Sequence, residues 1–330
     1  MKTTAENAQE TAVSPTPKRT LKTYAGLTLR GMAMGASDIV PGVSGGTMAL
    51  ILGIYEELIS SIRSIGRPEF LRPALRLQIK PALQALNWQF LLAVGLGILT
   101  AIFTLASALE WLLVHQTVYI WSFFFGLVLA SAYTVSKRIP KWSNLLRLTL
   151  VGGAIFAYVI VGLVPAQTPN TWWFLILSGA LASCAMILPG LSGAFILFVL
   201  GKYEDLLRAV NTGDFVMLAL VGVGAVLGLV TFAQILGWFF KQYHDLTIAV
   251  LIGLMVGSLR KLWPWKVDVA WLTDSAGNFV LDSHGELLVS QQANVLPNFA
   301  TQAGVVEFIF AAGLTAVGIV LVIVLERIAR

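Results

Sequence analysis

The sequence predicts an all-α polytopic membrane protein built from two inverted repeats, each one re-entrant helical hairpin plus three transmembrane helices. Three observations predict it. The 330 residues are 57% hydrophobic and only 12% charged, with a mean hydropathy of +0.80. Soluble domains carry roughly 25% charged residues. The segment Pro41-Gly42-Val43-Ser44-Gly45-Gly46 returns as Pro189-Gly190-Leu191-Ser192-Gly193-Ala194, and the offset of 148 holds without a gap from Pro41 to Ile59, with nine of nineteen positions identical. Lysine and arginine gather in alternate connections, as expected when basic loops stay in the cytoplasm.

Residues 1–20 are polar, of mixed charge and contain two prolines, which predicts a disordered cytoplasmic tail. No secretory leader is read there: the first apolar stretch contains Asp38, Pro41 and several glycines. Repeat 1 spans 21–165. Its first apolar block, Leu27–Val40, would rise about 21 Å as a helix, short of a hydrocarbon core of roughly 30 Å. A Pro-Gly break and a second arm, Thr47–Ile65, follow. Arg30, Lys18, Arg19 and Lys22 stand on one side of this pair and Arg63, Arg67, Arg72, Arg76 and Lys80 on the other. Both ends therefore read as cytoplasmic, making 27–65 a re-entrant hairpin.

Spans are expected at 88–109, 118–135 and 145–164. Residues 110–117 and 165–171 lack Lys and Arg, whereas Lys137, Arg138 and Lys141 mark the connection between the second and third spans. Repeat 2 covers 166–330, with a hairpin at 172–210, spans at 215–239, 246–259 and 305–325, and a polar loop at 268–302. Val94-Gly95-Leu96-Gly97 matches Val221-Gly222-Val223-Gly224 at an offset of 127, and Thr104, Trp111, Gly126 and Ser131 match Thr231, Trp238, Gly253 and Ser258. The change of offset makes Arg67–Asn87 an insertion in repeat 1.

A hairpin plus three crossings is odd, so repeat 2 enters from the opposite face. Such repeats are typical of alternating-access carriers. The termini both come out cytoplasmic. Arg260, Lys261 and Lys266 then face outward against the charge rule, beside a long polar loop that can translocate regardless of charge.

The net charge of +5 belongs to this topology and is no nucleic-acid signal. A single cysteine, Cys184, excludes an intramolecular disulfide and a cysteine-based metal cluster. Zincin, Walker and nucleophile-elbow motifs are missing from the sequence. No catalytic residue, metal or cofactor is therefore expected, and uphill work must come from an ion gradient or a partner.

Irregular backbone at membrane depth persists only where it is buried in protein or lines a cavity. Each PGxSG tip opens a helix whose amides and dipole suit a phosphate or carboxylate. Ser44 and Ser192 are good N-caps, and Gly45, Gly46 and Gly193 let a ligand approach the backbone. Two such tips near the midplane would make a symmetric anion site; tight hairpin packing is the plainer alternative. Asp38 lies three residues before Pro41, and Met186 replaces it in the second copy. An intramembrane carboxylate is functional by default and could load and release a proton; a static contact with the Gly45 and Gly46 amides is the alternative. Glu56 and Glu204 occupy matching positions, with Arg63 and Arg208 further along their helices, and read as gating or pairing groups or as interfacial charges. Arg30 could reach a lipid headgroup. Trp172, Trp173, Trp263 and Trp265 read as interfacial belt residues. Gln234 and Glu307 read as interhelical packing groups.

The segments GMAMGASDIVPGVSGGTMALILGIYEELI and ILPGLSGAFILFVLGKYEDLL resemble the two signature segments of the bacterial polyprenyl-phosphate (undecaprenyl phosphate) transporter family, PopT. The resemblance runs from about Tyr24 to Arg327. It implies a flippase in the bacterial cytoplasmic (inner) membrane that returns undecaprenyl phosphate from the outer to the inner leaflet for peptidoglycan and other envelope synthesis. The family's motif positions fall on Arg30, Asp38, Pro41, Gly42, Ser44, Gly45, Gly46, Thr47, Tyr55 and Glu56, and on Pro189, Gly190, Ser192, Gly193, Tyr203 and Glu204. A proton or sodium ion is the expected coupling partner. Interfaces rich in small residues permit a homodimer without requiring one.

Two other functions compete. An ion-coupled carrier of a small anionic solute would use the same broken helices. The PGVSGGT tip also resembles the PGxSRSxxT motif of undecaprenyl pyrophosphate phosphatases. There an arginine follows the serine; here Gly45 and Gly193 take that place, and no acidic pair accompanies Asp38 on the first half-helix, which favours binding without hydrolysis.

Overall fold

A computed structural model describes residues 19–40, 42–166, 168–273, 279–280 and 287–329, with side chains through 327. Residues 1–18 of the expected tail, Pro41 of the first motif and part of the polar loop lie outside the described residues.

Helix α1 (Leu21–Ile39) starts where Thr20 accepts a hydrogen bond from the Thr23 amide. Arg19 beside it grips both carboxylate oxygens of Glu57 at 2.6 and 2.7 Å, so α1 and the contact that fixes its start lie ahead of the first expected arm, Leu27–Val40. The chain turns after α1 at Gly42, whose φ of +86° is open to glycine at little cost. Ser44 then caps α2 (Gly45–Ile51). The second copy repeats this: α9 (Trp172–Ile187), Gly190 at φ +86°, and Ser192 capping α10 (Gly193–Val199).

The second arm of each hairpin is two helices, not the single helix expected over Thr47–Ile65. In the first copy α2 stops before α3 (Tyr55–Ile65), and in the second α10 stops before α11 (Tyr203–Thr212). Gly53 (φ +71°) and Gly201 (φ +65°) cause the stops. The Gly53 amide donates to Leu50 O and the Ile54 amide to Ala49 O; Gly201 and Lys202 donate to Phe198 O and Leu197 O. This is the Schellman closure of a helix by a left-handed residue, present in both copies.

The insertion forms two short helices, α4 (Pro68–Leu75) and α5 (Ile79–Ala85). The expected spans appear as α6 (Trp88–His115), α7 (Thr117–Ser136), α8 (Asn144–Ile160), α12 (Phe215–Gln242), α13 (His244–Leu262) and α14 (Gln302–Ala329). Four of them, α6, α7, α12 and α14, are long and apolar enough to cross a membrane. At 17 residues α8 rises only about 26 Å, and α13 ends on Arg260 and Lys261, which interrupt its apolar run. The loop expected over 268–302 contributes to an antiparallel pair, β1 (Lys266–Trp271) and β2 (Val289–Asn294), so a small sheet joins the helices.

The two halves pack alike. α1 lies along α6 as α9 lies along α12; α8 lies along α13 as α14 lies along α7; and α7 meets α13 at the centre. Glycines set the closest crossings. A Cβ on Gly97 would meet Thr28 O at 2.0 Å, and one on Gly224 would meet Ile176 O at 2.0 Å. Small residues admit such backbone approach between apolar helices. Leu251 and Met255 of α13, with Leu127 and Val128 of α7, are buried in the core that supports the hairpins.

Candidate functional site

The two hairpin tips meet. A helix end leaves its last carbonyls without helical partners, and at α9 those carbonyls are taken by hydroxyls of the other half. Ser44 Oγ donates to Met186 O at 3.1 Å and Tyr55 OH donates to Ile187 O at 3.1 Å. In return the Gly190 amide donates to Thr47 Oγ1 at 3.0 Å. A Cβ on Gly46 would stand 2.4 Å from Ile187 O, so glycine there is what lets the tips touch. Ser44, Thr47 and Ser192 are all buried.

The tips differ in what their amides hold. Gly45 donates to Asp38 Oδ1 at 2.6 Å, and Gly46 donates to Ser44 Oγ at 3.1 Å. Asp38 thus places a carboxylate where the start of α2 could take an anion. In the second copy Met186 stands opposite Gly193, and Ser192 Oγ accepts from the Phe195 amide at 3.4 Å. The Asp38 contact reaches the Gly45 amide alone, because the Gly46 amide is taken by Ser44.

The paired charges are distributed otherwise than their spacing suggests. Arg63 turns to α12, where its Nε donates to Gln234 Oε1 (3.0 Å) and Gln234 Nε2 donates back to Arg63 O (2.6 Å). Glu56 faces His244 Nε2 at 3.5 Å across an exposed gap. Arg208 is exposed on α11. Arg30 is half-buried midway along α1, away from the tips, and makes no side-chain hydrogen bond or ion pair with the described residues. Glu307 accepts from Trp265 Nε1 at 2.9 Å and Val295 O accepts from Trp263 Nε1 at 2.8 Å, so these two tryptophans pin β1 and β2 to the helices. Trp172 and Trp173 remain exposed.

Two hollows flank the tips. One, of about 330 Å³, lies between α10, the ends of α8 and α13, and the β1–β2 pair. Its walls include Tyr203, Glu204, Arg260, Lys261 and Lys266. Burial, reinforced by the neighbouring Lys261 ammonium, lowers the Lys266 ammonium to a pKa of about 7. The other hollow, of about 710 Å³, is an apolar groove among α8, α12 and α13, with Phe156, Ile235 and Phe239 partly exposed along it. Leu188, the residue after α9, lines it, so the groove begins at the second tip.

The three cations of the first hollow are functional candidates that sequence reading did not pick out. Their signal was the breach of the charge rule at the end of α13. Lys202, buried in the α10–α11 break and donating to Thr168 O (2.7 Å) and Asn170 Oδ1, had no signal: its partners lie in an irregular connection.

The family model for undecaprenyl phosphate translocase-like proteins matches residues 34–280. The chain belongs to that family. The undecaprenyl phosphate translocase-like match takes in both tips and the three cations of the basic hollow, and it ends before the β2 wall of that hollow. A protein of Vibrio cholerae serotype O1 (strain ATCC 39315 / El Tor Inaba N16961) named "Polyprenyl-phosphate transporter" is 45% identical over 260 residues, covering 79% of this chain and 83% of the relative. One of the same name from Staphylococcus aureus (strain NCTC 8325 / PS 47) is 31% identical over 255 residues, covering 72% and 85%. Both are named as transporters, not enzymes. No solved structure matches the chain.

Proposed function

We propose that this protein moves undecaprenyl phosphate across the bacterial cytoplasmic membrane from outer to inner leaflet, recycling the carrier lipid for cell-envelope synthesis. Two inverted repeats with re-entrant hairpins alternate access to the tips, where Ser44, Gly45, Gly46, Thr47, Ser192 and Gly193 receive the phosphate. The observation that carries this reading is the junction at Leu188: an apolar groove opening between helices ends on a polar tip. That junction suits a headgroup with a long apolar tail. A small hydrophilic anion has no use for the groove, which disfavours the solute-carrier alternative. The names of the two relatives support the lipid-phosphate class.

Asp38 supplies the coupling. Its carboxylate already fills the Gly45 amide, so a phosphate oxygen must replace it there, and protonation of Asp38 frees the place. One proton then enters with each phosphate. The proton offsets the cost of moving a negative charge toward a negative interior, about 2.3 kcal/mol per charge per 100 mV.

The test is undecaprenyl phosphate flipping in proteoliposomes. Wild type should flip the lipid, and the Ser44→Ala/Ser192→Ala double variant should be at least tenfold slower. Equal rates in the two would remove the tips from the mechanism; no flipping by folded wild type would end the lipid reading.

A further inference from the structure

We infer that the hollow beneath the β1–β2 pair is a docking site for the phosphate monoester headgroup, held by Arg260, Lys261 and Lys266 beside the two hairpin tips. This rests on the lipid-phosphate reading above and adds to it a site that the tip motifs do not include.

The first argument is charge. Three cations line the hollow against one carboxylate, Glu204. Aromatic rings and carbonyls position these cations. Arg260 lies 4.4 Å over the Tyr158 ring and donates to Tyr158 O at 2.9 Å. Lys261 Nζ stands 5.2 Å from the Phe195 ring centre. Lys266 Nζ stands 3.9 Å from the Trp121 ring centre and donates to Lys261 O at 2.6 Å. Such contacts hold a cation without neutralising it. Gathering like charges in a partly desolvated hollow is costly unless an anion joins them. Arginine and lysine donors to a phosphate make the stronger, charge-assisted kind of hydrogen bond.

The second argument is place. The side chain of Lys261 packs on the first tip: a Cβ on Gly42 would meet Lys261 Cγ at 2.9 Å. From the other side Phe195, in the first turn of α10, borders the same hollow. An anion held by Lys261 is therefore adjacent to both tips. Tyr203 lines this hollow, whereas its repeat counterpart Tyr55 is buried against Ile187 O. The side of the second hairpin is open where that of the first is closed.

Titration adds a readout. Lys266 faces Arg260 and Lys261 from α13 and Tyr203 and Glu204 from α11; Asp268 on its own strand pairs with Gln292, and Glu307 is taken by Trp265. Its pKa of about 7 leaves it charged below neutrality and neutral above. An anion favours the charged form, so binding should strengthen as pH falls through 7.

The experiment is calorimetric titration of the purified full-length protein with geranyl phosphate and, separately, inorganic phosphate. Wild type should bind geranyl phosphate more tightly than inorganic phosphate. Lys261→Gln/Lys266→Gln should weaken geranyl phosphate at least tenfold, while Lys137→Gln, in the connection after α7, should bind as wild type. Geranyl sulfate, whose charge is fixed, should bind wild type severalfold more weakly at pH 8 than at pH 6, and Lys266→Arg should abolish that difference. This last comparison stands even if the double variant fails to fold. Unchanged geranyl phosphate affinity in the folded double variant, or an identical pH profile in Lys266→Arg, overturns the docking site and leaves the translocation reading intact. Inorganic phosphate binding as tightly as geranyl phosphate overturns the headgroup assignment in favour of free phosphate. Failure of folded wild type to bind geranyl phosphate overturns both readings.

Discussion

At the scale of single residues, the decisive contact is Asp38 on the Gly45 amide. Asparagine keeps the shape and an accepting oxygen but cannot carry the exchanged proton. Asp38→Asn should therefore fold, hold its cap, and flip lipid at a rate that no longer responds to a pH gradient. Under the proposed coupling, one proton would offset one charge in wild-type proteoliposomes, equivalent at 100 mV to about a fiftyfold difference in accumulation. A variant that retains full gradient dependence would leave Asp38 as a cap alone. Asp38 and Ser44 are visible as candidates in the sequence, since a carboxylate and a duplicated N-cap stand out in an apolar segment. The bonds from Tyr55 and Thr47 to the second hairpin are not, because each joins residues more than 130 positions apart. The bond from Arg63 to Gln234 is not readable for the same reason, since the two lie 171 positions apart and the local spacing points only to Glu56.

At the scale of elements, glycines separate into three physical classes whose effects should differ. Gly53 has a left-handed backbone and open space around it, so Gly53→Ala should cost about 1 kcal/mol from conformation alone. Gly95 lies inside α6 with nothing near an added Cβ; Gly95→Ala should leave stability unchanged or raise it by up to about 1 kcal/mol. Gly97 presses on the α1 backbone, and Gly97→Ala must push α1 off α6. Thermal unfolding of the purified protein should rank them with Gly97→Ala lowest, then Gly53→Ala, then Gly95→Ala. Equal midpoints for Gly97→Ala and Gly95→Ala would contradict the packing. The helix stops were written in the sequence as the shared Leu52-Gly53 and Leu200-Gly201. They are easily overlooked because the apolar pattern runs through each without a polar break. The β1–β2 pair was less readable still: four of the six residues of Val289–Asn294 are polar, and its pairing depends on a partner about twenty residues upstream.

At the scale of the whole molecule, matching helix pairs in the two halves coexist with unequal tips. The Tyr55 side is buried, and the Tyr203 side borders a hollow. In the inverted arrangement proposed above, those two sides would lie on opposite faces of the membrane. The topology predicts that α4–α5 is cytoplasmic and β1–β2 external. In a Cys184→Ala background, Gln78→Cys and Gln292→Cys place single thiols at two exposed positions, one in each region. A membrane-impermeant maleimide added to intact cells should label Gln292→Cys, and should reach Gln78→Cys only after the membrane is opened. Labelling of both from outside would place the hairpin arms and the basic hollow on one face. The packing symmetry would then be that of parallel halves, and alternating access at the tips would lose its basis. Opposite labelling puts Arg260, Lys261 and Lys266 on the outer face. Their breach of the charge rule then has a purpose, since an anionic headgroup arriving from the outer leaflet meets them before it meets Asp38.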